Sequence, residues 1–175
     1  SKYASSKLEG EKNIINNFSK STILKPSVIF SVDDDFSCRL LTLLSLLPIF
    51  PLYYNGKTKF SPMHVSEICE VIKSVIDKNI CSDIIECAGP EVISFKEILE
   101  RLLNLIDKKR ILIPMPLPIA FFSAKIFQLF PKPLLTEDQL KLLKYDNILS
   151  GNYKSNFDIG SPSKKHFNEE VKKYS

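Results

Sequence analysis

The spacing of apolar residues predicts that helices alternate with strands along the first 113 residues of the chain. Apolar positions at helical spacing, or in a more uniformly apolar run, predict helices at residues 3–18, 36–47, 65–77 and 95–106. Short apolar runs of strand type fall between them, at residues 21–30, 83–88 and 110–113, and Pro26 interrupts the first of them. Because strands and helices alternate in this way, the pattern favours an α/β fold.

Capping residues mark where several of these helices begin. Ser94 is followed three residues later by a glutamate, which is the pattern of a capping box, and Thr136 caps a further helix. The acidic run from Asp33 to Asp35 places carboxylates at the positive end of the next helix, so we interpret it as a cap and not as a metal site. We interpret His64, just before an amphipathic helix, as a hydrogen-bonded structural residue.

The remaining segments carry weaker signals. Residues 52–63 look extended, and Asn55-Gly56 within them predicts a hairpin turn. Residues 118–130 have a helical pattern. After Tyr145 the sequence becomes polar and carries two glycines, so we expect a loosely held tail.

The composition excludes several classes of function. The chain of 175 residues has 24 basic and 20 acidic side chains, and only three of the basic ones are arginines. Without a dense basic stripe, nucleic-acid binding is disfavoured. The four cysteines have no metal-ligand spacing and only two histidines accompany them, so we expect free thiols and no metal site.

Two apolar stretches raise the question of a membrane. Residues 36–50 and 119–130 are the most apolar parts of the chain, but both are shorter than the roughly 18 residues that a spanning helix needs. We therefore expect neither to cross a bilayer. They remain candidates for core helices or for faces that lie on a membrane surface.

Glycine is scarce, and its placement is informative. The five glycines stand at positions 10, 56, 89, 151 and 160, so neither a Gly-x-Gly-x-x-Gly turn nor a phosphate-binding loop is present. The sequence also starts at Ser1 without an initiator methionine, inside a predicted helix. We expect a segment in front of it to be missing.

Tyr3 and Lys7 form the pair best suited to chemistry. Four residues apart on a helix, their side chains share one face. A lysine ammonium stabilises the phenolate form of a nearby tyrosine, which suits the tyrosine to general acid or base chemistry. The same spacing recurs at Tyr53 and Lys57 in the predicted hairpin, where it has no such geometry.

Further segments follow this pair in a recognisable order. They are residues 22–30 (TILKPSVIF), 62–69 (PMHVSEIC), 86–91 (ECAGPE) and 135–140 (LTEDQL). The succession resembles the C-terminal half of an extended or atypical short-chain dehydrogenase/reductase of the NAD-dependent epimerase/dehydratase type. Within that superfamily it is most similar to the NAD(P)H-binding accessory subunit of respiratory complex I and its bacterial relatives. The resemblance covers roughly residues 3–149.

The resemblance implies roles for four residues. Tyr3 would be the general acid or base, and Lys7 would assist it and bind the ribose hydroxyls of the cofactor. Pro26 and Ser27 would line the nicotinamide. From the residues alone, Pro26 could also be an edge or bulge residue of a strand.

The chain also departs from the family pattern. Lys25 stands where arginine is usual, and Glu67 where aspartate is usual. Nucleotide-sugar epimerases and dehydratases typically have asparagine at the position of Val28 and a diphosphate-binding arginine near that of Phe60. Apolar side chains cannot make those hydrogen bonds, which disfavours a sugar-nucleotide substrate.

The expected fold is therefore the C-terminal part of a Rossmann-like α/β fold with a small, mostly helical C-terminal subdomain. We expect residues 1–35 to end the Rossmann-like core and residues 36–149 to supply the remaining strands and the subdomain. Residues 150–175 would form the loosely ordered tail. NAD(P)(H) would bind only together with the missing N-terminal Rossmann half.

Three functions follow as hypotheses. The first is a weakly catalytic or non-catalytic accessory or assembly subunit of respiratory complex I, cytoplasmic or peripheral on the inner face of the respiratory membrane. The second is an active NAD(P)-dependent epimerase, dehydratase or reductase that uses Tyr3 and Lys7. The third is a non-catalytic interaction module from a split or decayed gene.

Overall fold

The computed structural model describes residues 1–127 and 136–174, and its helices follow the predicted pattern closely. The helices are α1 (Lys2–Asn17), α2 (Asp35–Leu46), α3 (Val65–Asp77), α4 (Phe95–Leu105), α5 (Leu117–Phe127), α6 (Glu137–Leu142) and α7 (Phe167–Val171). Short 3-10 helices lie at Tyr53–Gly56 and Lys172–Tyr174. The predicted helix at residues 118–130 starts as expected, and its last three residues lie outside the described part.

The strands are short and mostly parallel. They are β1 (Ile23–Pro26), β2 (Ile29–Phe30), β3 (Ile49–Leu52), β4 (Lys59–Phe60), β5 (Met63–His64), β6 (Ile84–Cys87), β7 (Ile93–Ser94), β8 (Ile111–Pro114) and β9 (Lys154–Ser155). Strands β1, β6 and β9 form a parallel sheet in that order, and the pairs β2–β5 and β3–β8 are also parallel. The α/β prediction is confirmed.

The predicted caps form as expected. Ser94 and Glu97 make a reciprocal capping box at the start of α4, and Thr136 and Gln139 make a second one at α6. Asp34 accepts hydrogen bonds from the backbone N–H groups of Ser31 and Ser37, and so caps α2. The capping interpretation of the acidic run is confirmed.

The region around Asn55-Gly56 differs from the prediction. Tyr54, Asn55 and Gly56 do have positive φ angles, as a tight turn needs. However, β3 pairs in parallel with β8, and β4 pairs with β7, so the flanking segments do not pair with each other. The hairpin prediction is wrong.

The strand segment over residues 21–30 is interrupted at Pro26, as the sequence predicts. Pro26 ends β1, and the chain turns away before β2 begins at Ile29. β1 then pairs with β6, whereas β2 pairs with β5. Proline has no N–H to donate, so it stands at the end of the ladder.

Residues after 150 were expected to be loosely held, and that expectation is wrong for those described. Phe167 and Val171 of α7 are fully buried in the largest apolar cluster, beside core residues of α2 and α4. Asn156 is buried as well, and its side chain hydrogen-bonds the backbone N–H and C=O of Ala88. The segment completes the core.

Candidate functional site

Tyr3 and Lys7 lie on one face of α1, as their spacing predicts. The Lys7 Nζ atom is 5.5 Å from the centroid of the Tyr3 ring, and both side chains are exposed to solvent. This distance is that of a cation–π contact, in which the ring attracts the ammonium. The structure therefore brings the two residues together.

Glu11 extends this face by one more turn and fixes its orientation. Tyr3, Lys7 and Glu11 follow each other at intervals of four residues along α1. The Glu11 carboxylate forms an ion pair of 2.7 Å with Lys25 near the carboxyl end of β1. The face with Tyr3 and Lys7 therefore runs toward the end of β1, with Tyr3 about 12 Å along the helix axis from Glu11.

Pro26 and Ser27 follow at that end of β1, where the structure places them differently. Pro26 is exposed, whereas Ser27 is buried and fully hydrogen-bonded. The Ser27 hydroxyl donates to the Asn147 carbonyl at 2.7 Å and accepts from the Ser61 N–H at 3.1 Å. Ser27 therefore holds the loop at residue 147 in place and shapes its surroundings through that loop.

A cleft of about 200 Å³ opens at the carboxyl ends of β1 and β6. Its lining residues include Lys25, Pro26, Ser27, Glu86, Cys87 and Asn147. In parallel α/β sheets, ligands bind at the carboxyl ends of the strands. The cleft is the candidate site. Pro26 and Ser27 line it, whereas Tyr3 and Lys7 do not, and their helix face is linked to it only through the Glu11–Lys25 ion pair.

In the cleft, the Glu86 carboxylate already has hydrogen-bond partners, and the Cys87 thiol is protonated. Glu86 accepts hydrogen bonds from the backbone N–H and the hydroxyl of Ser150, at 2.8 and 2.6 Å. Burial raises the pKa of the Cys87 thiol to about 11, so the thiol stays protonated at neutral pH. The cleft consequently offers shape and backbone groups, and no ready nucleophile.

Asp138, within the 135–140 segment that carries the family resemblance, holds the start of α1, a contact that the sequence did not predict. Its carboxylate accepts hydrogen bonds from the Ser1 hydroxyl and from the backbone N–H groups of Lys2 and Tyr3, at 2.7, 2.8 and 3.0 Å. These bonds, first of all the one from Ser1, lower the pKa of Asp138. The segment at α6 thereby caps α1 as well, and 135 residues separate Asp138 from Tyr3. No local pattern could reveal such a contact.

His64 has the structural role that its position predicted. It caps α3, and its Nδ1 atom accepts from the Ser66 N–H at 3.3 Å. Its ring also contacts the edge of Phe30, with centroids 5.3 Å apart. Burial, followed by the positive charge of Lys165, lowers the pKa of His64.

The residues present fit one end of a dinucleotide. The Tyr3 phenol and the Lys7 ammonium can donate to ribose hydroxyls, and the cleft can hold a single ring. Its volume of about 200 Å³ is below the roughly 300–1,000 Å³ of sites that enclose a drug-sized ligand. The chain has no glycine-rich turn to cradle the phosphates.

No family model matches the chain. Among curated proteins, it is 24% identical over 157 residues to the mitochondrial NADH dehydrogenase [ubiquinone] 1 alpha subcomplex subunit 9 of Arabidopsis thaliana, a match that covers 83% of this chain and 39% of the relative. It is also 24% identical over 161 residues to the mitochondrial NADH-ubiquinone oxidoreductase 40 kDa subunit of Neurospora crassa, covering 90% of this chain and 42% of that subunit. The chain thus spans about two fifths of the length of these relatives.

Solved structures with a similar fold include a reductase, an epimerase and a dehydratase. The dTDP-4-dehydrorhamnose reductase of Clostridium acetobutylicum superposes with a TM-score of 0.60 at 17% identity, over 99% of this chain and 54% of that enzyme. The UDP-glucose 4-epimerase of Thermus thermophilus, solved in complex with NAD, gives a TM-score of 0.56 at 13% identity, over 94% of this chain and 48% of the epimerase.

The similarity to solved structures shows the fold of the chain. The chain has the α/β architecture, with parallel sheets, of the Rossmann-like enzymes that it superposes on. The resemblance to the accessory subunit of respiratory complex I, expected from the short segments, is then confirmed by the curated relatives.

A bilayer-spanning helix was not expected. Within residues 1–127 and 136–174, no helix has both the length and the apolar character that crossing a membrane requires.

Proposed function

We propose that the chain is the C-terminal part of a dinucleotide-binding accessory subunit of respiratory complex I. The observation that carries this proposal is the similarity to curated complex I subunits, which extends over 83 to 91% of the chain. The fold by itself does not distinguish an accessory subunit from an enzyme, because the structural neighbours are enzymes.

In this proposal the cofactor is NAD(P)(H), and four residues face its nicotinamide end. Lys7 and Tyr3 donate hydrogen bonds to the ribose, and Pro26 covers the ring from the end of β1. Ser27 positions the opposite wall through its bond to the Asn147 carbonyl. When bound, the nicotinamide supplies hydride-transfer chemistry.

The proposal includes a companion Rossmann half that supplies the phosphate-binding turn. Helix α1 buries none of its residues, although it carries the exposed apolar side chains Leu8 and Ile14 and is followed directly by the exposed Phe18. Strand β1 lies at one edge of its sheet. A parallel strand and a packed helix from the companion half would cover both features.

We propose a structural rather than a catalytic use of the cofactor. Phe60 is buried in the apolar core between Phe36 and Phe95, with ring centroids 6.0 and 6.4 Å away. Val28 packs against the same core. Neither side chain is placed to hydrogen-bond a charged sugar nucleotide, which weakens the case for an epimerase or dehydratase.

An active oxidoreductase is the second candidate, because Tyr3 and Lys7 share the face that leads to the cleft. If Tyr3 is the acid or base, a Tyr3→Phe variant of the complete protein should lose turnover by a factor of about 10²–10⁴. Undiminished turnover in that variant removes Tyr3 from the chemistry.

The proposed location is the inner face of the respiratory membrane, in association with complex I. The test is affinity isolation of the tagged protein from detergent-solubilised membranes of its own organism, followed by quantitative mass spectrometry. We expect complex I subunits to be enriched over a tag-only control. Isolation without any complex I subunit contradicts the association and favours a module outside the complex.

A further inference from the structure

The sheet formed by β3 and β8 leaves one apolar face in solvent. Phe50 and Leu52 of β3 point into the core and are buried. The alternate positions face outward: Ile49 lies opposite Ile111, and both are exposed, as is Ile113. Ile111 exposes 62% of its surface.

This face continues into both neighbouring segments. Leu46 and Leu47, which directly precede β3, are exposed, Leu46 to 73%. Beyond β8, helix α5 buries Ala120 and Ala124 and turns Ile119 and Phe122 outward. Isolated apolar residues on a surface are ordinary, whereas the group formed by Leu46, Leu47, Ile49, Ile111 and Ile113 on and beside one strand pair marks an interaction surface.

Three cations border the apolar face on one side. Lys108, Lys109 and Arg110 immediately precede β8. The Lys108 Nζ atom reaches the Ser45 carbonyl at 3.4 Å, and the Arg110 guanidinium donates to the carbonyls of Leu44 and Ser45 at 2.8 and 3.1 Å. Lys108 and Arg110 are therefore held at the end of α2, next to the exposed Leu46.

The local charge is positive. A shallow groove of about 370 Å³ between α4 and the inward side of β8 is lined by these three cations together with Leu103, Leu112, Lys96 and Glu100. Lys96 and Glu100 pair with each other at 3.5 Å. Glu100 offsets the charge of Lys96, and the carboxylate of Asp107 offsets one of the three cations at residues 108–110. An anionic partner is thus favoured over a cationic one.

The side-chain types indicate a membrane rather than a protein as the partner. Cores of protein interfaces are enriched in Tyr, Trp, Phe, Met and Arg, and lysine is depleted there. Here leucine and isoleucine dominate and two of the three cations are lysines, a combination typical of surfaces that lie on anionic lipid.

We propose that the surface formed by Leu46, Leu47, Ile49, Ile111, Ile113 and residues 108–110 docks onto an anionic phospholipid bilayer. The isoleucines and leucines enter the boundary between headgroups and acyl chains. Lys108, Lys109 and Arg110 stay at the level of the lipid phosphates. Docking of this surface onto lipid does not depend on the proposed function. Only the identity of the membrane rests on the proposed function.

Flotation of the purified 175-residue chain with vesicles through a density gradient tests this proposal, because aggregated protein sediments while vesicle-bound protein rises. The vesicles contain phosphatidylcholine alone or mixed with phosphatidylglycerol. We expect flotation with the anionic vesicles, a decrease with added salt, and little flotation with the neutral ones. Absence of flotation with anionic vesicles overturns the proposal.

Two pairs of substitutions locate the surface. Lys108→Gln with Lys109→Gln should lower the partition coefficient by about tenfold or more, since each cation near an anionic surface contributes about fivefold. Ile111→Thr with Ile113→Thr should lower it by a similar factor, and threonine suits an exposed strand. Arg110 is retained because it also bonds the end of α2.

Matched controls replace exposed residues of the same types elsewhere, with Lys12→Gln and Lys20→Gln for the cations and Ile76→Thr for the apolar residues. We expect the controls to float as the unmodified chain does, and all variants to keep its circular dichroism and melting temperature. Equal losses in controls and surface variants overturn the proposal. If the chain does not float and the surface variants instead lose complex I subunits in affinity isolation, the surface binds protein and the lipid proposal is wrong.

Discussion

Gly89 lies where two backbone segments pass too close to admit a side chain. A Cβ atom at this position would stand 1.7 Å from the Pro62 carbonyl oxygen, and the Gly89 N–H already donates to the Ser61 carbonyl at 3.0 Å. Gly10 on α1 is the opposite case, because a Cβ atom there would meet nothing within 4 Å. The glycine of the Gly-Pro-Glu segment is thus a packing requirement next to the candidate site.

Gly89→Ala should therefore destabilise the chain by about 2–4 kcal/mol, since backbone and not a flexible side chain must move. Gly10→Ala should stabilise it by about 0.5–1 kcal/mol, because alanine costs less entropy in a helix interior. Urea unfolding of the two variants and the unmodified chain measures both effects. A Gly89→Ala variant as stable as Gly10→Ala would contradict the close approach.

His64 should make stability depend on pH. Its pKa is lowered in the folded state by burial and by Lys165, so the unfolded chain binds this proton more readily. Stability is therefore full above the ordinary histidine pKa of about 6.5 and is lost as the pH falls through the folded value. His64→Asn keeps a capping side chain and removes the titration.

Urea unfolding at pH 7 and pH 5 should show a smaller difference for His64→Asn than for the unmodified chain. His166 is present in both proteins and serves as the internal control. If both proteins lose the same stability between the two pH values, His64 is not the group responsible.

At the scale of the elements, two carboxylates fasten the C-terminal segment to the rest of the chain. Glu67 accepts from the backbone N–H groups of Lys164 and Lys165. Glu91 accepts from the Phe167 N–H at 2.9 Å and pairs with Arg101 at 2.8 Å. α7 is consequently held over the core by hydrogen bonds as well as by apolar packing.

Glu91→Ala should cost about 1–3 kcal/mol of stability, because it leaves a backbone N–H and a partly buried guanidinium without their acceptor. Amide exchange should accelerate at residues 164–171 in particular. Glu100→Ala is the matched control, since its pairing with Lys96 is half-exposed and contributes less than about 0.5 kcal/mol. Unchanged exchange at 164–171 in Glu91→Ala would show that packing alone holds the segment.

Interactions between residues close in the sequence could be predicted, whereas interactions between distant residues could not. The capping boxes at Ser94 and Thr136 are complete within four residues, so the sequence pattern suffices to predict them. The partners of β3 and β4 lie in β8 and β7, and a local turn signal at Asn55-Gly56 carries no information about them. The same limit hid the bond from Asp138 to the start of α1.

The burial of residues in the C-terminal segment, 150–175, could not be predicted for the same reason. Its polar composition suggested weak attachment, yet Phe167 and Val171 are the two apolar residues that α7 contributes to the core. A short helix with so few apolar positions has no clear periodicity. In the site, the pairing of Tyr3 with Lys7 could be predicted, whereas the hydrogen bonds that occupy Ser27 could not.

At the scale of the whole molecule, α1 differs from the other described α-helices, each of which buries at least one residue. α1 buries no residue, and β1 has a neighbour on only one side in the described sheet. In isolation, such an edge and such an apolar face promote self-association. Both are accounted for if a second Rossmann half packs there.

Replacing Leu8, Ile14 and Phe18 by glutamine should therefore reduce self-association of the chain without lowering its melting temperature, because these side chains are exposed already. Ile76→Gln, an exposed apolar residue of α3, serves as the control. Light scattering and thermal unfolding check the two effects. A fall in melting temperature of the triple variant would show that α1 is stabilised by these side chains within the chain itself.

We propose that this chain supplies one end of a dinucleotide site and needs a companion half for the phosphates. Calorimetric titration of the 175-residue chain with NADH and with NADPH measures whether the chain binds either cofactor alone. We expect no submicromolar binding of either cofactor, because no glycine-rich turn is present to bind the pyrophosphate. Submicromolar binding to the chain alone would show that it binds the phosphates without a companion half.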